Sequence, residues 1–183
     1  MSSNRTILTL ICTTVLFALA APLPLSPAQD KDTPKKDGKA AGILIEKKEN
    51  WVLVRVDGEE EAVKFTIDGT DKKLTDSLKT TFDACRVELT YKKDGDARQL
   101  VGIKRQVLKA TGTITGTVVK VHNEFWVEVK PANGVADAFA PSGANYKNKE
   151  FMETLKGLQK GDTVTITYTT DFERHRINTL QKK

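Results

Sequence analysis

The sequence is short of the residues from which catalytic and metal centres are built. It holds two cysteines and two histidines among 183 residues. Cys12 lies in an N-terminal apolar run, which leaves Cys85 without an intrachain partner and expected to be buried and inert. His122 and His175 are too few for zinc, which takes three or four ligands, so no metal or cofactor is expected. Gly-x-Ser-x-Gly, a phosphate loop and His-Glu-x-x-His are all absent, and the serines beyond residue 28 are Ser77 and Ser142. Glu59-Glu60-Glu61 follows a turn, where carboxylates are solvated. No catalytic residue is assigned, and the chain is expected not to be an enzyme.

Long apolar runs are lacking too. The longest stretch, residues 7–21, is broken by threonines and falls short of the roughly 20 apolar residues of a spanning helix. Arg5 precedes it, and Ser26-Pro27-Ala28 offers small residues at a cut. Residues 1–28 therefore read as a secretory signal peptide cleaved after Ala28. The protein is expected to be exported, periplasmic or secreted, with no transmembrane span after cleavage. Residues 29–40 carry charge, Pro and Gly but no large apolar side chain, and read as a flexible tether. The net charge of +5 is mild and its lysines are scattered, a pattern that serves solubility before any polyanion.

What the sequence does contain is one unit written twice. Gly42-Ile43-Leu44-Ile45 matches Gly116-Thr117-Val118-Val119, and Trp51-Val52 matches Trp126-Val127. Phe65 answers to Phe139, Leu74 and Leu78 to Phe151 and Leu155, and Val87 to Tyr91 corresponds to Val164 to Tyr168. Asp94, Leu100 and Ile103 correspond to Asp171, Ile177 and Leu180. The order never changes, and a period of about 70 residues suits a small domain rather than a solenoid unit. The copies are placed at residues 41–107 and 110–183.

The second copy shows the elements clearly. A Thr/Val/Ile-rich strand over 113–121 with Gly116 inside it predicts a bend. Phe125, Val127 and Val129 alternate with Trp126, Glu128 and Lys130. An Asn133-Gly134 turn leads to a third strand through Phe139. Phe151, Met152, Leu155 and Leu158 have helical spacing, and strands follow over 163–169 and 174–180. Three strands, one short helix and two strands, read twice, predict a mainly β protein of two tandem five-stranded barrels. This order resembles the oligonucleotide/oligosaccharide-binding (OB) barrel. Leu155-Lys156-Gly157-Leu158-Gln159-Lys160-Gly161-Asp162-Thr163-Val164 looks like the ending of short barrel modules in exported bacterial proteins, with a longer spacer. The first copy departs from it at Asp83-Ala84-Cys85-Arg86.

In that fold, ligands lie on the second and third strands and stack on exposed aromatics. Trp51 and Trp126 sit opposite the apolar stripes of their second strands, and so are expected to point out of their barrels. Arg55 and Lys64 in one copy, with Lys120 and Lys130 in the other, are the candidate charges beside them. The competing expectation is that each ring packs under the helix, a terminal segment or the sister domain, since the short, proline-free stretch 104–111 brings the barrels together. An envelope glycan or a protein is the partner the compartment favours; single-stranded nucleic acid and a purely structural pair are the alternatives. The basic tripeptide Arg174-His175-Arg176 would suit phosphate, although Asp171 and Glu173 adjoin it.

Overall fold

Each half of residues 36–183, the part described by the computed structural model, builds the same set of strands. The expected signal peptide, and the tether as far as residue 35, lie outside the described residues. The first half contains β1 (Lys36–Lys47), β2 (Trp51–Val56), β3 (Val63–Ile67), helix α1 (Lys72–Thr80), β4 (Arg86–Asp94) and β5 (Ala97–Arg105). The second contains β6 (Thr111–His122), β7 (Trp126–Pro131), β8 (Asp137–Pro141), a one-turn helix α2 (Gly143–Tyr146), helix α3 (Lys149–Lys156), β9 (Thr163–Asp171) and β10 (Arg174–Lys182). Each half closes into a barrel, in the orders β1-β2-β3-β5-β4 and β6-β7-β8-β10-β9. Among the described strands only β3–β5 and β8–β10 pair in parallel. This is the OB strand order, formed twice.

The alternation seen in the sequence fills the two interiors. Leu44, Val52, Val54, Phe65, Val87, Leu89 and Leu100 form the first core, with Cys85 fully buried among them. Val118, Val127, Val129, Phe139, Val164, Ile166 and Ile177 form the second. Each such side chain contributes about 1.5–3 kcal/mol on leaving water. The helices are amphipathic plugs. Leu74 and Leu78 of α1, and Leu155 of α3, enter the cores, and Asp71 and Asn148 cap the helices by accepting from the N–H groups of Leu74 and Phe151.

Equivalent residues of the two copies do equivalent work. Phe65 meets Tyr91 edge-on at 5.3 Å, and Phe139 meets Tyr168 in the same way at 5.4 Å. The long strands β1 and β6 are both bulged, between Leu44 and Glu46 and between Val118 and Lys120. Gly42 and Gly116 stand where these strands cross a neighbour closely. A Cβ there would come within 2.2 Å of the Arg55 carbonyl oxygen and 2.6 Å of that of Lys130.

Three expectations change. Residues 36–40, read as tether, are the start of β1 and pair with β4, because Gly38 leaves room for the Tyr91 ring. Phe125, read as an inward residue of the second strand, lies in the turn before β7 and is 49% exposed. Asn123 and Glu124 both take positive φ, as the mirror-image hairpin turn requires, and the Phe125 N–H closes that turn on the His122 carbonyl. The second copy also has α2, capped by Ser142, ahead of the expected helix.

Candidate functional site

The outer faces of β2–β3 and β7–β8, where this fold carries ligands, have opposite fates. The registers match: Val52 lies opposite Phe65 and Leu53 opposite Lys64, as Val127 lies opposite Phe139 and Glu128 opposite Ala138. In the first barrel the face stays open. Trp51 is half-buried there, with the Lys64 ammonium 4.9 Å from its ring centroid. Lys64 and Thr66 are exposed, and Lys64 has no carboxylate partner among the described residues. Leu53, half-buried, completes the patch.

In the second barrel this face is covered by the first. Trp126 is 6% exposed and Ala138 1%. They cluster with Ala140 against Ile43, Ile45 and Ala84 of the first barrel. Trp126 thus leaves its own barrel on the outer face, as expected, and ends in the seam. Ala138 and Ala140 occupy the positions of Lys64 and Thr66, and their small size lets β1 approach.

Polar groups lock the seam at its edges. Glu128 is fully buried, accepts from or donates to His122 Nε2 at 2.7 Å according to the protons they hold, and lies 3.5 Å from Arg55 Nε. His122 also stacks on Trp126 at 3.8 Å. Arg86 ion-pairs with Asp57 and donates to the Ala136 carbonyl across the seam at 2.9 Å. The histidines go to separate carboxylates, since His175 binds Asp137 at 3.1 Å. Among the described residues no cluster of metal-ligating side chains forms.

The six candidate residues therefore divide three ways. Trp51 and Lys64 come together on the open face. Trp126 is sealed. Arg55, with Lys130 and Lys120, lines adjoining grooves at the seam, joined by Lys160. Those cations face Asp57, Glu59, Glu60 and Glu61, so the grooves are balanced in charge and offer little to an anion. The alternation of the second strand places Leu53 on the face of Trp51, whereas sequence reasoning missed Thr66, whose signal was its place in register with Trp51. It also missed Phe125 and Tyr146, exposed aromatics in connections between strands.

No protein-family model and no curated protein matches the chain. Among solved structures it is similar to the tetrameric p202 HIN2, with a TM-score of 0.28 and 9% identity over 81% of this chain and 97% of that one. It is also similar to a multidomain protein with nucleic acid binding domains from Streptococcus pneumoniae TIGR4. There the TM-score is 0.26 and identity 17%, over 76% of this chain and 44% of the other, so this chain spans less than half of that protein's length. At these scores the likeness adds nothing to what the strand order itself shows.

Proposed function

We propose that the protein is a non-enzymatic binding module whose ligand lies on the open β2–β3 face of the first barrel. The observation that carries this reading is the pairing of a half-buried Trp51 with an unpaired Lys64 on that face, while the equivalent face of the second barrel is closed. A ring for stacking beside a free cation suits a single-stranded nucleic acid. Trp51 would stack a base, Lys64 would move from the indole to a phosphate, and Thr66 would add a hydroxyl. Export is inferred from Arg5, the apolar run over 7–21 and Ser26-Pro27-Ala28. That compartment also holds acidic glycans, which are the competing ligand. Titrating the protein with single-stranded DNA and with an acidic polysaccharide at low and high salt separates them. Quenching by DNA that weakens steeply with salt supports the reading. Quenching by the polysaccharide alone, or by neither, refutes it.

A second reading, a purely structural pair, is favoured by the placement of Trp126 in the seam beside the buried Glu128. It expects Trp51 to respond to no ligand.

A further inference from the structure

A groove of about 370 Å³ opens where the turn before β7 and strand β10 meet the α1–β4 connection of the first barrel. At its rim Phe125 and Tyr146 stack on each other at 5.9 Å, and they are 49% and 56% exposed. Arg174 and Arg176 reach it from β10, because His175 and Ile177 take the inward positions of that strand.

Neither arginine is satisfied. Arg176 is half-buried, and its side chain makes no hydrogen bond or ion pair among the described residues. Its burial, and after it the charge of Arg174, pull it below the ordinary guanidinium value, with Asp171 opposing. Arg174 donates to the Asp83 carbonyl at 3.4 Å and lies over Phe82 at 5.1 Å, yet its buried Nε has no acceptor. Asp83 is the carboxylate residue that lines the groove, one against two guanidiniums. Burial pushes Asp83 above the usual carboxylate range; Lys47 opposes it, the Glu46 charge adds to the rise, and Arg174 opposes it more weakly. A buried donor without an acceptor carries a desolvation cost that an arriving anion removes.

We propose that this groove binds a phosphate ester that also carries a planar ring, as a nucleotide does, with the phosphate on Arg174 and Arg176 and the ring against Phe125 and Tyr146. Guanidinium forks match phosphate oxygens in pairs, and two forks suit a dianion better than a single carboxylate. Aromatic faces stack on flat rings, which a saturated sugar does not offer. The site needs both barrels, since Asp83 and Ala84 come from the first and the arginines and rings from the second. It shares no residue with the open face of the first barrel and does not rest on that reading.

Calorimetry on the full chain, with adenosine 5′-monophosphate, inorganic phosphate, adenosine and glucuronate as probes, tests this. The nucleotide should bind about tenfold or more tighter than phosphate or adenosine alone, since stacking adds to ion pairing. Arg176→Gln should weaken it about tenfold or more, as expected for a lost charged hydrogen bond, and Arg176→Lys should recover part of the loss. Tyr146→Ala, at an exposed ring whose removal leaves the cores intact, should weaken it about tenfold. A nucleotide bound no better than phosphate, a preference for glucuronate, or wild-type affinity in folded Arg176→Gln would overturn the proposal. Should Arg176→Gln fail to fold, unchanged affinity in Tyr146→Ala overturns it alone.

Discussion

The two barrels share their insides and differ on one outer face. In both, a Phe–Tyr edge contact, a bulged long strand and a tightly packed glycine recur at matching positions. On the outer face of the third strand, Lys64 and Thr66 in one copy stand where Ala138 and Ala140 stand in the other. On the second strand Leu53 answers to Glu128. At the seam β1 of the first barrel covers β7–β8 of the second. Duplication of the fold has not duplicated this outer face: in one copy it is closed in the seam, and in the other it is open.

Exchanging residues between the copies breaks the comparison most strongly. Ala138→Lys, which puts the open-face residue into the seam, forces a long side chain into the space packed by Ile43 and Trp126 and should cost about 3 kcal/mol. Lys64→Ala, the reverse exchange at an exposed site, should shift stability by about 0.5 kcal/mol or less. Urea denaturation of both variants measures the difference, and equal costs would mean that the two faces are equally exposed. Gly42→Ala and Gly116→Ala probe what the barrels share. Each forces a methyl group onto a backbone carbonyl, and each should cost about 1–3 kcal/mol. A marked difference between them would show that the repeat is less regular than its registers. The smallest effect concerns Cys85, which is fully buried and whose thiol burial pushes above its ordinary value, the Phe82 backbone opposing. A raised pKa means less thiolate at any given pH, so labelling by a thiol reagent should begin only as denaturant unfolds the chain. Rapid labelling of the native protein would contradict that.

The barrels were legible because period-2 alternation, two hairpin turns and helical spacing agree in both copies, and the agreement of two readings of one unit is stronger than either alone. The seam was half legible. Ile43-Leu44-Ile45 is apolar on both faces of its strand, as is Trp126-Val127 beside Ala138-Phe139-Ala140, and two apolar faces mean two burials. What alternation could not say is which barrel covers which, since that depends on three-dimensional fit between Ala138, Ala140 and the β1 isoleucines. Nor could it place Phe125, because the positive φ at Glu124 is set by closure of the hairpin and not by the residue's own preference. Arg55 and Lys130 read as equivalent charges beside equivalent tryptophans, yet Arg55 is spent on Glu128.

The central claim is that Trp126 is sealed in the seam while Trp51 lies on an open face. Acrylamide quenching of the tryptophan emission of Trp51→Phe and Trp126→Phe, with and without single-stranded DNA, tests it most directly. The remaining Trp126 should emit to the blue and resist acrylamide, whereas the remaining Trp51 should emit to the red, be quenched readily and respond to DNA at low salt. A Trp126 as accessible to acrylamide as Trp51, or a Trp51 that does not respond to DNA, would contradict the account.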